Sequence, residues 1–213
     1  MPSSENIINV YNKTAKVYAQ KFIDELSKKH LDRILLQAFA KENSDKGKCI
    51  DLGCGPGQTT KFLSDNGFKD IIGTDISDGM IAKAKELFST LNFEVADMLK
   101  LQYSDKTFSS AIAFYAIVHF TQAQLKIAFK EIHRVLKDKG QFLFSFHIGD
   151  EVIRNTNFLD AGGEIDFYFF ETETILELLK EAGFKTIDVI ERLPYADVEY
   201  PSKRAYIWVE KAS

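Results

Sequence analysis

A chain of 213 residues with 45% hydrophobic side chains can bury one sizeable core and needs no second domain. Its formal net charge of -4 leaves no electrostatic footprint for a polyanion, so the expected partners are small molecules or proteins, with no nucleic acid among them. No run reaches the length of a membrane span, and the first residues lack a basic start with an apolar core, so the expectation is a cytoplasmic protein with no membrane partner.

Residues 1–43 read as an N-terminal helical cap. Within it Tyr11 and Tyr18 stand seven apart and share a helical face with Ala15 and Phe22. Such an aromatic stripe is either a lid over a site or ordinary packing. Residues 44–213 then alternate between strand-like and helical patterns. Strands are expected at 48–53, 70–75, 92–96, 108–115, 140–147, 185–192 and 204–210, each rich in β-branched or aromatic residues. The clearest helix opens at Thr121, where Thr121-x-x-Gln124 forms a capping box ahead of Leu125, Ala128, Phe129, Ile132, Val135 and Leu136 on one face. A second, about 171–182, ends at Gly183, a C-cap glycine. These helices pack on a parallel sheet, which gives an α/β fold. The loop 193–202 is too short for a crossover helix, so the chain closes in an antiparallel hairpin. The insert 148–170 is long for a connection in a compact domain and mixes acids with aromatics, which points to part of an acceptor pocket, with Glu164 and Asp166 available to a substrate and Arg204 and Tyr195 near the same mouth.

The run Asp51-Leu52-Gly53-Cys54-Gly55-Pro56-Gly57 is a strand end followed by alternating glycines, where a ligand can lie against the main chain. A dinucleotide fingerprint needs Gly-x-Gly-x-x-Gly; here the third glycine comes one residue early, which argues against NAD. Asp75 closes the next strand, where a carboxylate can accept from vicinal ribose hydroxyls. Asp97 follows the third strand and can accept from an adenine amine. The alternative is that Asp51, Asp75 and Asp97 simply cap turns.

Together, Asp51-x-Gly53-x-Gly55-x-Gly57, Asp75 and Asp97 resemble the class I S-adenosylmethionine-dependent methyltransferases, of the small-molecule type. The segment from Glu131 to Gly140 resembles the family's helix-to-strand connection, with Asp138 and Lys139 where proline and glycine are more usual, and Tyr11-Asn12-x-x-Ala15-x-x-Tyr18 resembles its N-terminal segment. The resemblance implies a Rossmann-like, doubly wound sheet of seven strands, mostly parallel with an antiparallel last strand, and S-adenosylmethionine as cofactor. It implies that Gly53, Cys54, Gly55 and Gly57 line the methionine part, Asp75 with Ile76 holds the ribose, Asp97 with Met98 holds the adenine, and Phe114 and Tyr115 lie under the sulfonium. Asp51 supports the loop, and Met80, Tyr11 and Tyr18 complete the cofactor set. The activity implied is in-line methyl transfer to an O, N or C atom of a small-molecule acceptor. Two other readings stand beside it: an NAD-linked oxidoreductase, or a non-catalytic module that senses a cofactor or binds a partner.

If the acceptor must lose a proton, His119 is the first candidate base and His147 the second. His119 is equally a helix-start histidine bonded to backbone, and His147 a solvated strand end. His30 and His133 read as surface residues. No His-x-x-x-His or paired-cysteine spacing suggests a metal, since Cys49 and Cys54 fit neither pattern. The Asn- or Asp-Pro-Pro-aromatic motif of base-amine methylation is replaced by Ala113-Phe114-Tyr115-Ala116, which argues against a nucleic-acid substrate.

Overall fold

A computed structural model describes residues 4–160 and 162–212; the first three residues of the expected cap, Ala161 in the insert and Ser213 lie outside them. Three helices come first: α1 (Ser4–Phe22), α2 (Glu25–Lys28) and α3 (His30–Asn43). The alternating region follows with β1 (Cys49–Leu52), α4 (Gln58–Asp65), β2 (Ile71–Asp75), α5 (Asp78–Leu87), β3 (Asn92–Val95), β4 (Phe108–Phe114) and α6 (Gln122–Val135). It ends with β5 (Leu136–His147), β6 (Val152–Asn155), β7 (Ile165–Tyr168), α7 (Thr172–Glu181), β8 (Phe184–Arg192) and β9 (Arg204–Lys211).

The main sheet has seven strands in the order β3-β2-β1-β4-β5-β9-β8. β1 to β5 pair in parallel, and β9 inserts antiparallel between β5 and β8. This is the Rossmann-like sheet with an antiparallel last strand. Strand order reverses between β1 and β4, and ligands bind beyond the carboxyl ends of strands at such a reversal.

Two apolar layers hold the sheet. Leu125, Ala128, Phe129, Ile132 and Val135 of α6, all fully buried, pack with Phe142, Phe144 and Ile207. Elsewhere Leu36, Phe39 and Ala40 of α3 pack with Ile71, Ile112 and Trp208. The α6 capping box is formed: Gln124 N–H donates to Thr121 Oγ1 at 3.3 Å and Thr121 N–H donates to Gln124 Oε1 at 2.9 Å. Such a cap is worth about 1 kcal/mol.

Two features differ from the sequence expectation. β5 starts four residues early because Leu136 pairs with Phe108 across a bulge before Ser110 meets Gln141. The insert is not a bare loop either. β6 and β7 fold it into an antiparallel ribbon, Val152 opposite Tyr168 and Asn155 opposite Ile165.

Candidate active site

A cleft opens beyond the ends of β1, β2, β3 and β4, with α1 and α2 across it. Its floor is the turn after β1. Gly55 sits at φ +54°, and a Cβ built there would meet only the Tyr18 ring, 3.9 Å away, so its missing side chain leaves room in the cleft. Gly57 differs. At φ +91° its Cβ would come within 2.8 Å of the Phe93 ring, so this glycine serves packing behind the loop and is not part of the cleft wall. The expectation that it lines the cleft is corrected: one turn on, the chain has already become α4, whose N-cap Gly57 is.

Asp75 ties that loop to β2. Its Oδ2 accepts from Gly55 N–H at 3.0 Å and its Oδ1 from Ser77 N–H at 2.9 Å, so each oxygen keeps a lone pair for a ligand. Removal from water pushes its carboxyl up to about 6, against the pull of these backbone donors. Asp51 is buried beneath, accepts from Thr60 Oγ1 at 2.6 Å, and is likewise pushed up by burial, to about 7. Asp97 Oδ1 accepts from Leu99 N–H at 2.8 Å. Asp75 and Asp97 therefore do cap turns, and all three acids also stand in the cleft wall. Gly53, Cys54, Ile76, Met80, Met98, Phe114 and Tyr115 line it as well.

α1 forms the roof. Asn12 Oδ1 accepts from Ser77 Oγ at 2.6 Å and from Gly79 N–H at 2.9 Å, which latches α1 to the start of α5. Tyr11 and Tyr18 line the cleft with ring centroids 6.0 Å apart. His119 lines it too, on a 3₁₀ turn after β4. Its Nδ1 lies 2.8 Å from the Asp166 carbonyl oxygen, which can only accept, so Nδ1 carries the proton. Nε2 is then the acceptor for the Tyr11 hydroxyl at 2.6 Å. Burial lowers the imidazole to about 4 and raises the Tyr11 phenol, so both are neutral near pH 7.

The other side residues named from the sequence lie elsewhere. His147 is outside the wall, its Nδ1 2.7 Å from Ser202 Oγ and its ring stacked on Phe169, and burial beside Arg204 lowers it to about 3. β5 ends one strand too far from β1 for its last side chain to reach the cleft. None of the described insert residues lines the cleft; Phe158 packs against Tyr11 and Tyr18 at 5.9 and 6.5 Å. Asp166 is buried and bound to Arg154 at 2.8 Å, and Glu164 lies 3.9 Å from the same arginine, so neither faces a substrate there. His133 is half-buried against Phe184, unlike the exposed His30.

Arg204 and Tyr195 belong to a buried cluster behind the wall. Arg192 reaches Asp32 at 3.1 Å and Glu199 at 2.6 Å, and Arg204 reaches Glu199 at 3.2 Å. Tyr206 donates to Asp32 Oδ1 at 2.6 Å, so the Tyr115 hydroxyl, 2.9 Å away, donates to Tyr206. Tyr115 itself holds φ +54°, a conformation costly for a bulky residue, with its N–H donated to Ser145. Sequence reasoning missed Glu25, Asp32 and Gln58, which also line the cleft. No local pattern announces Glu25 and Asp32, which lie in separate helices, α2 and α3, with the chain broken at Lys29 between them.

Among the described residues no three His, Cys, Asp or Glu side chains are grouped to hold a metal, and no helix is long and apolar enough to cross a membrane. The family model described as Methyltransferase domain matches residues 49–140. A protein of Methanocaldococcus jannaschii is 35% identical over 136 residues, 63% of this chain and 49% of that one. Phosphoethanolamine N-methyltransferase 3 of Arabidopsis thaliana is 26% identical over 149 residues, 68% of this chain and 30% of its own length. The chain thus spans half or less of the length of these two curated relatives. The solved structure of an S-adenosylmethionine-dependent methyltransferase from Clostridium acetobutylicum superposes with a TM-score of 0.65 at 18% identity, covering 95% of this chain and 99% of that one. The glycine loop and the three strand-end acids gathered in one cleft all fall within the stretch that matches the methyltransferase-domain model, and the chain shares the fold of that solved methyltransferase structure.

Proposed function

We propose that the chain is a single cytoplasmic methyltransferase domain, residues 1–43 forming its helical cap, that transfers a methyl group from S-adenosylmethionine to an O, N or C atom of a small molecule. The observation that carries this reading is Asp75, fixed by Gly55 and Ser77 with lone pairs to spare beside a glycine whose Cβ position is open. These residues fit the cofactor. Asp75 would accept from the ribose hydroxyls, Asp97 and Met98 would hold the adenine, and the backbone of Gly53 to Gly55 would underlie the methionine part, with Phe114 and Tyr115 nearby. The cofactor supplies an activated methyl on a cationic sulfur, so the protein has to align the acceptor and keep water out.

Tyr11 and Tyr18 serve the second task, since α1 is latched over the cleft. The wall holds Glu25, Asp32, Asp51, Asp75 and Asp97 and no lysine or arginine, which favours a cationic ligand. His119 is the side chain placed to take a proton, and Tyr11 gates it. An acceptor proton reaches Nε2 only after the Tyr11 hydroxyl has moved aside or passed its own proton on. His147 has no such access.

The test is calorimetric titration with S-adenosylhomocysteine, with NAD as control. Saturable binding of the first, absence of the second and loss of binding in Asp75→Ala are expected. Binding of NAD alone would return the chain to the oxidoreductase reading.

A further inference from the structure

We propose that Asp32 selects the methyl acceptor, admitting molecules that carry a protonated amine as a docking group and turning away anionic ones. This rests on the methyltransferase reading and adds the substrate class to it. Asp32 is 1% exposed and stands in the cleft wall. Its Oδ1 is taken by Tyr206 and Arg192, while Oδ2 has no hydrogen-bond partner among the described residues. Gln58, in the same wall, has the same deficit: its Nε2 donates to Glu25 at 3.0 Å and its Oε1 is left unpartnered.

Both idle atoms are acceptors, so the ligand they await is a donor. An ammonium brings three donors and no lone pair, whereas a phosphoryl or carboxylate group brings only acceptors and would set lone pair against lone pair. The cations near this corner are already engaged. Lys29 holds Glu25 at 2.6 Å, and Arg192 and Arg204 hold Glu199, so none is free to neutralise an anionic acceptor. The docked ammonium is distinct from the atom that is methylated, because a protonated nitrogen has no electron pair with which to attack the methyl carbon.

Three ring-matched probes test this: tyramine, 4-ethylphenol and 3-(4-hydroxyphenyl)propionate, titrated by ligand-observed NMR with and without saturating S-adenosylhomocysteine. Tyramine is expected to bind roughly tenfold tighter than 4-ethylphenol, the size of one charge-assisted hydrogen bond, and the carboxylate probe weakest. In Asp32→Asn the spread between tyramine and 4-ethylphenol is expected to collapse, with S-adenosylhomocysteine binding used to show that the variant is folded. The wild-type ranking needs no variant and decides the matter if Asp32→Asn does not fold. An equal or reversed ranking, absence of tyramine binding, or a ranking unchanged in Asp32→Asn overturns the proposal. Failure of S-adenosylhomocysteine to bind the wild type breaks the methyltransferase reading instead, and the ranking measured without it still reports on Asp32.

Discussion

The two sides of the cleft floor are held in opposite ways. On the β1–β2–β3 side each acid faces backbone N–H groups of the adjoining loops or a helix hydroxyl: Asp75 with Gly55 and Ser77, Asp97 with Leu99, Asp51 with Thr60 of α4. On the β5–β9–β8 side charged side chains face one another, with Asp32, Glu199, Arg192 and Arg204 in one buried cluster. Main-chain donors are fixed by the fold and leave carboxylate lone pairs for a ligand. Side-chain partners consume one another's bonding capacity and leave little over. The first side keeps several acceptors open to the cleft, while the second holds the hairpin and α3 together around Tyr115 and leaves only Asp32 Oδ2 over.

The largest separation of the two is expected from paired substitutions. Asp75→Ala removes an acceptor for charge-assisted bonds, each worth about 1.5–3 kcal/mol, so affinity for S-adenosylhomocysteine is expected to fall by about a hundredfold or more in calorimetry. Folding stability should change far less. Arg192→Ala does the reverse. It leaves Asp32 and Glu199, each side chain 1% exposed, short of their cation, and breaking such a buried pair costs about 3–5 kcal/mol. Urea titration should show that loss, a large share of a typical domain's roughly 5–15 kcal/mol, while the affinity of the surviving folded protein changes little. If Arg192→Ala weakened binding as strongly as Asp75→Ala, the division between the two sides would be wrong.

Acid separates them next. The Asp75 carboxyl is raised to about 6, so lowering the pH through 6 protonates it and removes the acceptor, and affinity for S-adenosylhomocysteine is expected to decline with a midpoint near there. That protonation does not destabilise the fold, because a raised carboxyl pKa means that the folded state binds the proton more readily than the unfolded one. Stability is lost through other groups. His147, held neutral down to about 3, contributes stability above its ordinary 6.5 that disappears as pH falls through that window. Glu199, which burial pushes up but Arg192, the Tyr195 backbone and Arg204 together pull down to about 2, contributes stability above its ordinary 4.5 that disappears between there and about 2. Affinity and thermal melting measured from pH 7.5 to 3 should therefore follow different curves, and Asp75→Asn should abolish the pH 6 midpoint in affinity without shifting the melting curve to match.

The same contrast explains what could be read from the sequence. The glycine loop, Asp75 and Asp97 were legible because each lies within a few residues of its strand end, and parallel strands bring those ends together by rule. The parallel sheet was legible from the alternation of strand and helix patterns, and the closing hairpin from a loop too short to cross over. The charged cluster was not. Asp32 meets Arg192 across 160 residues and Tyr206 across 174, and neither partner carries a local pattern that announces the other. His147 looked placed for catalysis because a strand end usually faces the site, but β5 stands beyond β4 and its neighbours Phe169 and Ser202 enclose it. Gly57 looked like a ligand contact because it shares a motif with Gly55; only the position of Phe93 tells the two apart.

The smallest effect concerns Lys139, where the family resemblance leads one to expect glycine. The residue sits at φ +60°, in the left-handed region that costs an L side chain about 1 kcal/mol, and it lies in the bulge of β5 between Leu136 and Gln141, outside the cleft wall. Lys139→Gly removes that strain but gives the unfolded chain more freedom to lose, and the two nearly offset. The net gain should be about 0.5 kcal/mol in urea titration, with affinity for S-adenosylhomocysteine unchanged. A change in affinity would mean that the β5 bulge is coupled to the cleft through β4, and the main-chain side would then reach further across the sheet than its hydrogen bonds suggest.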